Sequence, residues 1–141
     1  MTDGLTISVR NALDELERVA GLVESYCTAR GVSARTTFEV NLALDEVLTN
    51  VISYAYPEGG AQTITVRVAR EPERLVIEVE DSGRGFDPLT VPTPDVSRPL
   101  DERPAGGLGV FLVRTVMDDL EYHRQDGKNV LIMRKRLAEA G

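Results

Sequence analysis

Apolar and polar residues follow two different periods along this chain, and the switches between them mark its elements. Leu5, Ile7 and Val9 alternate with Thr6, Ser8 and Arg10, which predicts a short strand with one buried face. Leu13, Leu16, Val19, Ala20, Val23 and Cys27 then recur at helical spacing, with Asn11 as candidate cap, Asp14 and Glu15 in the first turn and Gly31 as terminator. A second helix is expected from near Ser33, carrying Val40, Leu44, Val47, Leu48, Val51 and Ala55 on one face. It must stop before Pro57, since proline disfavours helical geometry in the residue ahead of it. The PEGG run at 57–60 reads as a turn. Ile64, Val66 and Val68, then Leu75, Ile77 and Val79, alternate with polar neighbours on either side of a turn at 70–73, the pattern of an antiparallel hairpin.

From Asp87 to about Gly107 the periodicity vanishes, and five of the seven prolines (Pro88, Pro92, Pro94, Pro99 and Pro104) fall there. A structureless stretch longer than about 12 to 15 residues inside a compact domain marks a lid, a binding loop or disorder. Gly106, Gly107, Leu108 and Gly109 then open an apolar helix expected over Val110 to Met117. Tyr122 and the run at 130–137 predict a closing hairpin turned at Asp126-Gly127. The order implies one α+β domain over residues 1–141, a two-layer α/β sandwich whose mixed, mostly antiparallel sheet carries helices on one face.

Three places in this frame can carry chemistry. On the second helix Glu46, Asn50 and Tyr54 form a stripe of their own, four residues apart. Successive members lie about 6 Å apart along the axis and point the same way. A carboxylate beside an amide suits a hydrated cation and an activated oxygen; a merely solvated face has the same spacing. Asp81 ends a strand and is followed by Gly83 and Gly85, so its carboxylate can accept from an exocyclic amine while the glycines admit a planar ring. A polar hairpin turn would look alike. Gly107 and Gly109 stand where a helix begins, and its free N–H groups bind phosphate or form a hinge.

Composition narrows the classes. With 141 residues and 42% hydrophobic content the chain can bury one sizeable core. A lone cysteine, Cys27, allows no internal disulfide, and no basic leader or long apolar run is present, so a soluble cytoplasmic protein is expected. The net charge of -7 disfavours a general nucleic-acid or membrane binder. Arg134, Lys135 and Arg136 fit a local basic patch, and a charged edge strand explains them as well. Gly127-Lys128 is followed by Asn129, with Tyr122 where a phosphate loop needs its first glycine, and neither glycine pair reaches the third glycine of a dinucleotide fingerprint. His123, the sole histidine, has no nucleophile elbow to serve, and a metal cage is unsupported.

Taken in order, E-x-x-x-N on a helix, D-x-G-x-G after a strand and G-x-G after a long loop resemble the Bergerat-fold ATP-binding superfamily. LALDEVLTNVISYAY, VEDSGRGFDP and ERPAGGLGVFLVRTVMDDLEY carry the resemblance, which is closest to the anti-sigma-factor serine/threonine kinases, with their histidine-kinase-like ATPase domain. The resemblance implies ATP and Mg²⁺ as cofactors. By it, Asn50 ligates the metal, Glu46 is the general base and Asp81 takes the adenine amino group beside Gly83 and Gly85. The backbone at Gly107, Leu108 and Gly109 holds phosphates, and Arg103, on an ATP lid at about 87–107, approaches the terminal one. It also implies a small anti-sigma-factor antagonist as substrate, allows a sigma factor and a homodimer as partners, and involves no direct nucleic acid or membrane. Two positions depart from the pattern. Tyr54 stands where several relatives have histidine, and Lys128-Asn129 replaces a threonine, which leaves one adenine or phosphate contact unassigned. An ATP-binding module with little transfer, or an ATPase module of a larger assembly, are the alternative functions.

Overall fold

A computed structural model describes residues 4–56, 62–85, 87 and 107–137, with the backbone alone for 107–111. Its elements are β1 (Gly4–Arg10), α1 (Leu16–Ala29), α2 (Ala34–Tyr54), β2 (Thr63–Arg70), β3 (Arg74–Asp81), α3 (Gly107–Val116), β4 (Asp119–Gln125) and β5 (Lys128–Arg136). The strands form one sheet in the order β1-β2-β3-β5-β4. Every neighbouring pair among them is antiparallel, not mixed as expected. The connection through α3 does return the chain parallel to β3, but at β4, and the hairpin then inserts β5 between the two.

Alternation drives the layers. Val9, Ile64, Val66, Ile77 and Met133 are buried on the sheet's inner face against Val23, Val40, Leu44, Leu48 and Val113 of the helices. The outer face is held by ion pairs, Arg67 with Glu78 (3.5 Å) and Arg134 with Asp119 (2.5 Å) and Glu121 (3.2 Å). Such half-exposed pairs contribute little stability individually. β5 is therefore interior, and the edge-strand explanation for its basic end fails. Arg134 is neutralised by β4, and Lys135 Nζ donates to Val116 O at the end of α3 (2.6 Å) while pairing with Glu39 of α2 (3.4 Å).

The second helix begins where Ser33 predicts, its Oγ accepting from Thr36 N at 3.1 Å. The first differs. A 3-10 turn over Leu13–Glu15 precedes α1, and Leu13 is exposed. Asn11 caps no helix; its N donates to Gln62 O (3.2 Å) and its Oδ1 accepts from Gln62 N (3.1 Å), tying the end of β1 to the start of β2. Glu15 instead closes that corner, accepting from Arg10 N (3.0 Å) and from both Nε (2.9 Å) and NH2 (3.0 Å) of Arg18. Gly31 ends α1 with φ 73°, and Asp126 and Gly127 turn the last hairpin with φ 54° and 75°. No helix among the described residues is long and apolar enough to cross a membrane.

Candidate functional site

The site is organised by the docking of one turn onto one helix end. After β3 the chain turns through Ser82, Gly83 and Arg84 against the last turn of α2. Arg84 N donates to Ala55 O (3.0 Å), and Arg84 Nε to Tyr54 O (2.8 Å). A cation on the terminal carbonyls of a helix satisfies orphan acceptors and complements the helix dipole. Gly83 permits this approach, since a Cβ there would lie 2.4 Å from Ala55 O and 2.9 Å from Ala55 Cβ. At Gly85 a Cβ would meet Arg124 Cδ at 3.2 Å. Gly83 is thus required by a backbone contact, whereas at Gly85 the flexible Arg124 side chain would need to give by only a few tenths of an ångström; both glycines are suited to a ring.

This docking brings Asp81 to the end of α2. Asn50 lies five residues before Ala55, about 7.5 Å along the axis, and Glu46 one turn further back. Asn50 is 1% exposed, which a solvated face does not produce. Glu46 is half-buried, and burial, then the charge of Asp45, pushes its carboxyl above the usual range. Tyr54 is half-buried and packs against the core.

Asp81 is 3% exposed and sits in register with Asn129 of β5, which in turn faces Arg124 of β4. Asp81 Oδ1 accepts from Gly83 N (2.9 Å) and from Asn129 Nδ2 (2.9 Å). Among the described residues no hydrogen bond reaches Oδ2, so that oxygen is the acceptor offered to an incoming donor. Burial raises the Asp81 carboxyl, and the bonds from Asn129 and Gly83 and the charge of Arg124 oppose that rise. Tyr56, beside it, is pushed up to about 12 by burial and then by the Asp81 charge, so its hydroxyl stays neutral.

The third motif is resolved as a helix start. α3 begins at Gly107, three residues ahead of the expected Val110, so Gly107, Leu108 and Gly109 form its first turn. The first N–H groups of a helix lack intrahelical acceptors, which is what a phosphate-binding backbone needs. Arg103, the rest of the expected lid between Asp87 and Gly107, and the 57–60 turn lie outside the described residues.

Tyr122 and Arg124 carry no site signal in the sequence, and Asn129 stands out there as part of a departure that leaves a contact unassigned. A further signal for Asn129 existed, because it is in phase with Leu131 and Met133 and is therefore a polar residue on a buried face.

The structure is thus an α+β sandwich with a buried carboxylate at a strand end, docked beside an amide-bearing helix. The histidine kinase-like ATPase domain family matches residues 9–135. Serine/threonine-protein kinase BtrW of Bordetella bronchiseptica is 34% identical over 101 residues, covering 72% of this chain and 71% of its own length. Serine-protein kinase RsbW of Bacillus cereus is 33% identical over 115 residues, covering 74% and 71%. Among solved structures, the RsbU and RsbW domains of a Mycobacterium tuberculosis protein superpose with a TM-score of 0.66 at 12% identity, over 96% of this chain and 33% of that one. A structure of the SiaB–SiaC complex from Pseudomonas aeruginosa gives 0.59 at 17% identity, over 94% and 89%. These two attest the fold. The chain belongs to the histidine kinase-like ATPase domain family, alongside its serine/threonine-protein kinases.

Proposed function

We propose that this chain is an ATP-dependent serine/threonine protein kinase of the anti-sigma-factor type, which phosphorylates a small antagonist protein and also holds a sigma factor. The observation that carries the reading is Asp81, buried, fixed through Oδ1 and offering Oδ2 beside the end of the helix that bears Glu46 and Asn50. The kinship with BtrW and RsbW supports the choice of a hydroxyl acceptor. A cytoplasmic setting goes with a sigma factor as partner, and the reading admits a homodimer.

In this reading Asp81 Oδ2 accepts from the adenine amino group, and the first turn of α3 receives phosphate oxygens. Asn50 suits a hard cation, because its amide supplies a neutral oxygen donor. Among the described residues no cluster of His, Cys, Asp and Glu could form a protein cage. Mg²⁺ fits that poverty of ligands, since it keeps water and phosphate in its shell. Bound there it would neutralise phosphate charge. Glu46 is the general base: burial raises its carboxyl toward the pH at which it works, and it takes the proton of the substrate hydroxyl. Arg103 would approach the terminal phosphate from the lid.

Incubation of the protein with labelled ATP and the antagonist, followed by mapping of the labelled residue, tests the reading. A serine or threonine phosphate is expected. Glu46→Gln should slow single-turnover transfer by roughly 10² to 10⁴ while leaving ATP affinity within a few fold. Undiminished transfer would remove Glu46 as base, and no transfer by the parent would leave an ATP-binding module.

A further inference from the structure

Asn129 stands where the sequence departs from the pattern it otherwise resembles, and its hydrogen bonds give it a defined task. Its Oδ1 accepts from Tyr122 OH (2.5 Å) and from Arg124 NH1 (3.0 Å). Its Nδ2 donates to Asp81 Oδ1 (2.9 Å) and to Arg84 O (2.7 Å). The amide can face only one way. Arginine is never an acceptor, and a carboxylate and a carbonyl accept but do not donate, so a flipped amide would oppose Arg124, Asp81 and Arg84 at once. Arg124 NH1 also donates to Gly83 O (3.2 Å), which binds the same turn from its other side.

Both Nδ2 hydrogens are spent on the protein, and Asn129 is only 2% exposed. It therefore has no donor left for a base. Resting on the reading of Asp81 as the adenine contact, we propose that Asn129, locked by Tyr122 and Arg124, is the positioning residue that sets adenine specificity by holding Asp81 as an oriented, ionised acceptor. An ionised Oδ2 accepts from the adenine amine and opposes the carbonyl oxygen of guanine. A protonated one would donate and welcome that carbonyl instead.

The environment of Asp81 gives this bond something to oppose. Burial favours the protonated carboxyl, and Glu80 on the same strand adds to that. The bond from Asn129 is the largest opposing influence, ahead of Gly83 N and the charge of Arg124 from β4. Tyr56, after α2, stays neutral and supplies no charge. Arg84 contributes its carbonyl to Asn129 and spends its side chain on Tyr54 O.

The test is calorimetric titration of ATP and GTP into the full chain between pH 5.5 and 8, for the parent, Asn129→Leu and Tyr122→Phe. Asn129→Leu keeps the volume and removes these four side-chain bonds; Tyr122→Phe removes only the hydroxyl and guards against a variant that fails to fold. At neutral pH ATP affinity is expected to fall roughly tenfold or more in Asn129→Leu and by a few fold in Tyr122→Phe, with GTP affinity unchanged or improved, so that the ratio narrows. The preference for ATP should also fade at a higher pH in Asn129→Leu than in the parent. Equal losses for both nucleotides, or an unchanged ratio in both variants, overturn the inference and leave Asn129 a structural residue. A parent that binds ATP and GTP alike overturns the adenine reading of Asp81 itself.

Discussion

Gly83 meets Ala55 so closely that the hydrogen of the glycine is all the space between β3's turn and the end of α2 allows. A Cβ at 83 would stand 2.4 Å from the Ala55 carbonyl oxygen, a backbone atom that cannot swing aside. Gly83→Ala should therefore destabilise the protein with no nucleotide present, by about 1 to 3 kcal/mol, the usual cost of overpacking. Urea unfolding of the apo protein measures it. An unchanged midpoint would mean that α2 and the turn are not pressed together in solution.

Glu15 predicts how the fold responds to acid. Its carboxyl is pulled down to about 2, first by the side-chain bonds of Arg18 and then by the Arg10 N–H. A carboxyl lowered in the folded state stabilises it above the ordinary glutamate range, and that stabilisation disappears as pH falls through the folded value. Glu15→Gln should be less stable than the parent at pH 7, and the gap should close between about pH 4.5 and 2. Unfolding midpoints at pH 7, 4 and 2.5 follow it; a gap that does not shrink between pH 7 and pH 2.5 would assign the loss to packing instead of charge.

Asn50 should govern the metal and not the base. Mg-ATP at about 100 times its dissociation constant adds about 2.7 kcal/mol to the folded state and raises the melting temperature accordingly. Asn50→Ala is expected to lose the magnesium-dependent part of that rise and keep the part seen with ATP and chelator. A variant that responds to Mg-ATP as the parent does has not lost a metal ligand.

The parts legible in the sequence are those set by local period. Alternation located β1, β2 and β3, and Ser33 with Pro57 bracketed α2 because capping and proline act over one turn. What local pattern does not carry is the neighbour of each strand. The basic end of β5 suits an edge equally well until pairing with both β3 and β4 places it inside. Asn11 has a capping residue's chemistry, but Gln62, 51 residues away, competes for the same oxygen and wins. Glu46, Asn50 and Asp81 stand out in the sequence as candidates because each motif is local. Asn129 carries a weaker signal, a polar residue in phase with a buried face, and its bond to Asp81 exists only once β3 and β5 are in register across 48 residues.

Asp81→Asn separates what the carboxylate does for binding from what it costs the fold. The amide keeps an oxygen for Gly83 N and Asn129 Nδ2 but puts an N–H₂ where Oδ2 would accept. Because burial raises the carboxyl, the folded state prefers it neutral; that preference is fully expressed below the ordinary aspartate range and is lost as pH rises through the folded value. At pH 7 the ionised group is therefore a burden on the apo fold, and Asp81→Asn should melt at the same temperature or higher, an advantage that vanishes toward pH 3. ATP affinity should nonetheless fall by roughly 10², as two donors are brought face to face. Scanning calorimetry of the apo variant beside titration with ATP gives both readings. A clear drop in apo stability would make Asp81 a structural residue, and retained ATP affinity would remove it from the adenine contact.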